Sequence, residues 1–429
     1  MEAGSLWEAI TPPMEPCAPL VGSIKADVVI VGAGFLGLSS ALHAAEAGLK
    51  VVLLESYQPG FGASGRNTGF VVPSLKSSIG PAEATSALGL LHAERLLRLV
   101  AGSGRLVFDL IHQHGIDCGA VQNGWLQPGH SQAAEDMLHG RMSRLIDAGV
   151  DAEWLDRAAM LKRTGLPALY GGIRVVSGGQ ITPLAFVRGL VRAAASVGVQ
   201  IFGDSPASAI APDGQGWRVV TSNGDVLSPR VLMTTNALIG NLLPELRDSI
   251  IPARVFQIAT QVMPSSLRKT LLPEMAPVAD TRRHTFALRW SPDGRLVTGG
   301  MAPPVPGRMA LARQMFAKRL NRLVPGLPEI RAEYSWTGVI AGTLDFFPRM
   351  MRLKPGLDAV IGCNGRGVAL TTALGREIGP WLAGRLADAD LTLPLTPPRP
   401  IPFGRLSGLG PHLILPVWEA RDAFEARFR

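Results

Sequence analysis

Two short, continuously apolar runs lie near the start of the chain, at 27–31 (Asp-Val-Val-Ile-Val) and at 50–55. Between them, 35–47 carries apolar residues at helical spacing. Short β-branched runs with no polar alternation predict strands buried on both faces, so 27–55 reads as strand, helix, strand of a parallel sheet. The region before it, 1–24, reads as an extended lead-in. Residues 58–74 are rich in glycine and polar groups and predict a long loop. Helical spacing returns over 83–114, 131–148 and 184–197, where Gly198 stops the last helix. A strand at 199–202 follows. Strands at 217–221 and 226–234 are joined by Asn223-Gly224, a strong two-residue hairpin signal. Residues 254–263 and 284–290 alternate apolar and polar, and Asp293-Gly294 turns the chain into a strand at 295–299. A helix is predicted over 308–323. The last unit is a strand at 358–361, a glycine loop and a helix at 368–385.

Strand–helix–strand units thus fall in three separate blocks, with antiparallel signals between them. The predicted fold class is α/β: a Rossmann-type dinucleotide domain interleaved with an α+β substrate domain built on an antiparallel sheet. The nucleotide domain takes 25–80, 150–238 and 335–390. The substrate domain takes 81–149 and 239–334, and 391–429 forms a C-terminal strap.

Composition narrows the classes. The chain has 429 residues, 47% hydrophobic and 18% charged, enough apolar material for two or three domains. Its net charge is +8, but the arginines are scattered rather than clustered with aromatics, so no nucleic-acid partner is expected. No run of 18 apolar residues occurs, hence no transmembrane segment is expected. The first 24 residues lack a signal-peptide pattern and hold four prolines. Cys17, Cys118 and Cys363 form no Cys-x-x-Cys pair, and a reducing, cytoplasmic location is expected. No His, Cys and carboxylate group has metal-ligand spacing, so no metal is expected. Ser64-Gly65 is not a nucleophile elbow, since no strand ending in Gly-x-Ser-x-Gly precedes it.

The sharpest motif is Gly32-Ala33-Gly34-Phe35-Leu36-Gly37, which follows a strand and opens a helix. Gly32 permits the tight turn, Gly34 admits a pyrophosphate, and Gly37 lets helix and strand pack closely. The helix start then offers N–H groups and a positive dipole end to phosphates. Glu55 ends the second strand, where a carboxylate accepts hydrogen bonds from ribose hydroxyls and repels a 2′-phosphate. By itself the pattern leaves FAD and NAD open.

Further strings resolve this. Residues 61–69 read Phe-Gly-Ala-Ser-Gly-Arg-Asn-Thr-Gly, and 362–375 read Gly-Cys-Asn-Gly-Arg-Gly-Val-Ala-Leu-Thr-Thr-Ala-Leu-Gly. Upstream stand Trp336-Thr337-Gly338 and Thr343-Leu344-Asp345-Phe346-Phe347-Pro348. Tyr170-Gly171-Gly172, Gly179-Gln180-Ile181-Thr182-Pro183 and Thr234-Thr235-Asn236-Ala237 complete the set. Over most of 25–390 the chain resembles the D-amino-acid-oxidase-like FAD-dependent oxidoreductases, and within them the gamma-glutamylputrescine oxidoreductase branch. The resemblance implies extended FAD and oxidation of a C–N bond in an amine or amino acid to an imine, which water hydrolyses. It implies hydride transfer to flavin N5 and reoxidation by oxygen or an electron carrier. It leaves open a homo-oligomer or an electron-acceptor partner. The alternative is a flavin-bearing subunit of a hetero-oligomeric dehydrogenase passing electrons to a partner or quinone.

Carried over by residue, the resemblance places Ser64, Arg66, Asn67, Thr68 and Gly69 along the pyrophosphate and flavin. Gly365, Arg366, Gly367, Val368 and Ala369 meet the far end of the ring. Pro206 and Ala207 flank the adenine, and Asn236 the pyrophosphate side. Thr68 stands where that branch usually has glycine, and Cys363 where it has an aromatic. Sarcosine-oxidase relatives tether flavin to a cysteine. Alignment on Thr343-Leu344-Asp345 puts Gly338 there, so the FAD is expected to be noncovalent.

The cofactor does the hard chemistry, leaving orientation and electrostatics to the protein. The helix after 362–367 can place its N-terminus against negative charge on reduced flavin. Arg289, in Phe286-Ala287-Leu288-Arg289-Trp290, is a candidate to pair a substrate carboxylate, against the alternative of a surface arginine. Arg349 is a second carboxylate candidate. Trp336 is a candidate pocket wall or core residue, and His284 a candidate for proton transfer.

Overall fold

The computed structural model describes residues 4–76, 79–214, 216–301, 308–324, 326–402, 408, 410 and 414–425. Its centre is a seven-stranded sheet ordered Leu395–Thr396, Arg349–Lys354, Leu357–Ile361, Val231–Met233, Val28–Val31, Val51–Leu54, Gln200–Phe202. The five strands from Leu357–Ile361 to Gln200–Phe202 run parallel, and Arg349–Lys354 turns back antiparallel at one side. Every residue of Val28–Val31 and Val51–Leu54 is buried, as strands covered on both faces must be.

Two helices lie side by side on one face of this sheet, Phe35–Glu46 and Gly367–Leu382. Glycine makes their close approach possible. A Cβ on Gly375 would stand 2.5 Å from the Cβ of Ser39, and one on Gly379 2.6 Å from the Ala44 nitrogen. Ser39 Oγ donates to the Thr372 carbonyl at 2.8 Å across the same seam. The other face packs against a four-stranded sheet, ordered Gly22–Lys25, Gly224–Ser228, Gly216–Val220, Ala209–Asp213.

An eight-stranded sheet forms the second layer system. Its order is Ala332–Gly342, Ile251–Thr260, Leu296–Met301, Ala287–Trp290, Val278–Ala279, Trp125–Pro128, Gly172–Val175, Ala152–Leu155. All its pairings are antiparallel except that of Val278–Ala279 with Trp125–Pro128.

Several expectations shift. The strands Ala152–Leu155, Gly172–Val175 and Ala332–Gly342 belong to the eight-stranded sheet, although 150–238 and 335–390 were assigned to the nucleotide domain. Short apolar strands look alike in sequence whichever sheet recruits them. The helix expected over 83–114 is two, Pro81–Leu88 and Leu90–Gln113, broken at Gly89 with φ +80°. The strand expected over 226–234 is cut in two at Ser228-Pro229: Gly224–Ser228 completes the hairpin, and Val231–Met233 crosses into the central sheet. Proline cannot donate to a ladder, so it ends the first piece.

The lead-in is not wholly extended. Leu6–Ile10 is a helix with a capping box between Ser5 and Glu8, and Leu6 and Trp7 are completely buried. The strap divides in two. Leu391, Thr392 and Leu393 are buried, and Leu395–Thr396 extends the central sheet. The helix Leu415–Glu425 ends on the other domain, where Asp422 and Glu425 meet Arg283.

Candidate active site

The turn after Val28–Val31 has the form its glycines predict. Gly32 sits at φ +110°, and a Cβ on Gly37 would overlap the Gly32 carbonyl oxygen. The helix Phe35–Glu46 starts there with Gly34 as its cap and no side-chain hydrogen bond from that cap. First-turn N–H groups of a helix have no intrahelical acceptor, so the start of Phe35–Glu46 is a ready seat for phosphate. Ser64 Oγ accepts from the Phe35 amide at 3.0 Å. Glu55 Oε2 accepts from the Ala33 amide at 2.8 Å, and its Oε1 from the Tyr57 amide at 3.2 Å. Burial raises its carboxyl above the ordinary value, against those amides, which lower it. Pro206 and Ala207 follow Gln200–Phe202, next to Ser205, whose amide donates to the Glu55 carbonyl at 2.8 Å. Pro206 and Ala207 therefore stand beside Glu55 at one sheet edge.

The loop expected over 58–74 is folded, not irregular throughout: Ala63–Arg66 is one helical turn and Phe70–Val71 pairs with Gly179–Gln180. Side chains from three directions pin it. Asn67 donates to the Ala63 and Ser64 carbonyls at 3.0 and 2.8 Å and accepts from the Gly69 amide at 2.7 Å. Trp336 Nε1 donates to the Arg66 carbonyl and Trp7 Nε1 to the Asn67 carbonyl, each at 2.8 Å. The two indoles meet edge to face at 5.9 Å. Arg289 Nη1 donates to the carbonyls of Thr68 (3.0 Å), Gly69 (3.3 Å) and Ile181 (2.5 Å).

Arg289 is thus neither a surface arginine nor a free carboxylate fork. It is 0% exposed, and its Nε is spent on the Trp290 carbonyl at 3.0 Å. Nη2 alone has no hydrogen-bond partner among the described residues. A bidentate pair needs two parallel N–H groups on adjacent nitrogens, and two of the three nitrogens already face carbonyls. Burial lowers its pKa to about 9.

The second glycine loop is held by two asparagines. Asn236, at φ +49°, accepts from the Gly362 amide at 3.2 Å and reaches Cys363 Sγ at 3.5 Å. Asn364, at φ +52°, accepts from the Thr343 amide at 2.9 Å and donates to the Gly362 carbonyl at 2.6 Å. Gly365, Arg366 and Gly367 then open the helix Gly367–Leu382, in which Val368 and Ala369 are buried. Arg349 lies opposite Ile361 and is paired with Asp345, so an internal carboxylate already engages it. His284 is not brought to either loop. Its Nδ1 meets Glu419 Oε1 at 2.9 Å, its amide donates to Asp422 at 3.1 Å, and its ring packs on Phe316. Near it, His130, Asp422 and Glu425 come together, with the Arg283 guanidinium already supplying the cation to both carboxylates.

Sequence reading missed Trp7, whose helix was signalled by Ser5 and Glu8 at capping-box spacing. It also missed Arg141, which sits on the buried stripe of Gln132–Asp147 with Ala134 and Leu138. An arginine inside an apolar stripe was the available signal.

A fingerprint turn, an acidic strand end, a second glycine-turned helix beside the first and a sheet that pins the joining loop define a two-domain dinucleotide-dependent enzyme. The chain belongs to the FAD dependent oxidoreductase family, whose model matches residues 27–381. Its cofactor is FAD, and the glycine turn, the open helix starts and the pinned loop fit that group. It is 30% identical over 391 residues to gamma-glutamylputrescine oxidoreductase of Escherichia coli (strain K12), covering 91% of each chain. It is 29% identical to a probable oxidoreductase of Rhizobium meliloti (strain 1021), covering 90% of each. Glycine oxidase from Geobacillus kaustophilus shares the fold with a TM-score of 0.69 at 22% identity, over 86% of this chain and 96% of that one. Iminodiacetate oxidase from Chelativorans sp. BNC1 does so with 0.71 at 21% identity, over 87% and 100%. Among the described residues, no helix is long and apolar enough to cross a membrane.

Proposed function

We propose that the chain oxidises a C–N bond of an amine or amino acid to an imine, which water then hydrolyses to a carbonyl compound. The observation that supports this most is the span of the likeness to the Escherichia coli putrescine-derivative oxidoreductase. It extends through both domains, substrate sheet included, rather than stopping at the nucleotide motif. Bound FAD supplies the two-electron acceptor for the amine's hydride.

The chain's own residues hold and tune that acceptor. Trp7, Trp336 and Arg289 fix the carbonyl row from Arg66 to Gly69, so the loop is preorganised against the ring. The open start of Gly367–Leu382, with Arg366, supplies positive potential where reduction places negative charge. Arg289 is in this reading a positioning residue. Deprotonation of the amine nitrogen is left to solvent, because a neutral amine needs no base on carbon to release hydride.

Purified holoenzyme incubated aerobically with polyamine-type, N-methyl and α-amino-acid substrates tests the reading. The expected products are a carbonyl compound and ammonia or a shortened amine, with hydrogen peroxide if oxygen is the acceptor. With a separate carrier, turnover appears only when an artificial electron acceptor is added. Carbonyl formation from none of these amines under either condition overturns the reading.

A further inference from the structure

A groove of about 670 Å³ lies between the helices Leu90–Gln113 and Gly367–Leu382, bordered by the tail at Asp390 and Thr392. Four arginines reach it from the two helices: Arg95, Arg98, Arg105 and Arg376. Arg95 is engaged by the tail. Its Nη1 donates to the Ala389 and Leu391 carbonyls, and its Nη2 lies 3.5 Å from Asp390. Glu377 is engaged there too, accepting from the Thr392 amide at 2.8 Å and from the Thr392 hydroxyl. The other three arginines are exposed and far less committed. Arg98 touches its own helix at Glu94, 3.9 Å from the carboxylate and 3.4 Å from the carbonyl. Arg105 and Arg376 make no side-chain hydrogen bond or ion pair among the described residues. The remaining acid lining the groove is Asp109, so three available guanidinium groups face one carboxylate.

A second, independent observation points to an occupant. Gly102 lines the same groove from the interior of Leu90–Gln113; it is exposed, and a Cβ there would meet nothing within 4 Å. Glycine inside a helix destabilises it relative to alanine. Other helical glycines have a packing reason: a Cβ on Gly104 would stand 2.5 Å from the Ser177 carbonyl oxygen, and one on Gly375 2.5 Å from the Ser39 Cβ. Packing within this chain gives no such reason for Gly102. Positions 98, 102 and 105 follow one another at helical spacing on one face. Arg98 and Arg105 therefore stand about 10 Å apart along the axis, with bare backbone between them. Arg376 faces that backbone from the second helix.

We propose that this groove is a second ligand site, separate from the flavin, and that it takes a small phosphate-bearing molecule seated over Gly102 between Arg98, Arg105 and Arg376. A phosphate group carries up to two negative charges on three acceptor oxygens, enough to engage several guanidinium forks at once, whereas a carboxylate offers two oxygens and one charge. The volume falls within the range of small-molecule sites, about 300–1,000 Å³, and Leu99 and Ala373 supply apolar surface for an organic body. Nine positions, about 13 Å along the helix, separate Arg376 from Gly367 at the second glycine loop. The site is thus distinct from the cofactor's, and the inference does not depend on the amine-oxidation reading.

The test titrates the FAD-loaded enzyme with inorganic pyrophosphate by calorimetry, and with malonate, a dicarboxylate of similar size, as the comparison. Pyrophosphate is expected to bind saturably, at least about tenfold more tightly than malonate, and to weaken as salt is raised. Arg105→Gln and Arg376→Gln should each weaken it about tenfold. Gly102→Leu fills the groove from its floor and should abolish binding. Because leucine is a good helix former and meets open space there, that variant should keep its flavin content and a thermal midpoint at least as high as before, which separates a lost site from a lost fold. Absence of saturable pyrophosphate binding overturns the proposal. So does equal affinity for malonate, or pyrophosphate binding that survives Gly102→Leu and Arg376→Gln unchanged. Release of FAD during the titration overturns it as well, because the anion would then sit on the glycine turn at 32–37.

Discussion

The Arg289 side chain shows how a residue can be located by sequence and given a different task by structure. Its strand was legible, but its direction into the protein was not, because alternation with Leu288 and Trp290 puts it on the opposite face, which could equally have met solvent. Its partners were not, since the carbonyls of Thr68, Gly69 and Ile181 come from segments 108 or more positions away. Arg289→Lys replaces a planar fork with a point charge. The expected outcome is loss of at least about 2 kcal/mol of stability, with a lower flavin-to-protein absorbance ratio and an unchanged order of preference among the amines turned over. A changed preference with normal flavin content would place Arg289 on the substrate instead. The fingerprint glycines divide similarly. Gly37→Ala meets fixed backbone at Gly32, whereas Gly34→Ala meets the Ser64 side chain at 2.8 Å, which can rotate away. Flavin content should fall to near zero in the first variant and only partly in the second, as absorbance of the purified proteins will show. Glycine roles of this kind are local and were readable; the bond of Arg141 to the Leu75 carbonyl, 66 positions away, was not.

At the scale of elements, the N-terminal helix and the C-terminal helix were the parts least visible to pattern. Leu6–Ile10 is too short to display periodicity, and what holds it is the burial of Leu6 and Trp7 against Trp336 and Leu184. Trp7→Ala should destabilise the protein by about 3–5 kcal/mol and loosen FAD, measurable as a fall in thermal midpoint that excess FAD only partly restores. The C-terminal helix Leu415–Glu425 is fastened through His130 and His284 to its acids. His130 is buried, and desolvation, followed by Arg282, lowers its pKa below the ordinary 6.5. A depressed folded value means the unfolded chain binds the proton first. The stability this neutral histidine contributes is present above pH 6.5 and is lost as pH falls toward the folded value. Thermal midpoint should therefore decline on acidification below about pH 6.5, and His130→Asn should flatten that part of the profile; an unchanged slope contradicts this assignment.

At the scale of the whole molecule, the interleaving of two domains was legible from the separation of the strand–helix–strand blocks. The sheet that each strand joins was not, because pairing partners are chosen by long-range packing. Ala332–Gly342 illustrates the consequence. It is the edge strand of the eight-stranded sheet, and it also carries Trp336 to the loop 61–69, so one element serves both domains. The described portions of the tail are folded back on the chain itself, at Leu395–Thr396 and at Leu415–Glu425. The FAD family and a likeness that spans both domains make C–N oxidation the central proposal. The most direct measurement is anaerobic titration of the purified yellow protein with amines and amino acids, following the oxidised-flavin band. Bleaching in proportion to an added amine or amino acid, with one carbonyl product formed per flavin reduced, is the predicted result. A band that persists through the whole amine series, in protein carrying its full complement of FAD, contradicts it.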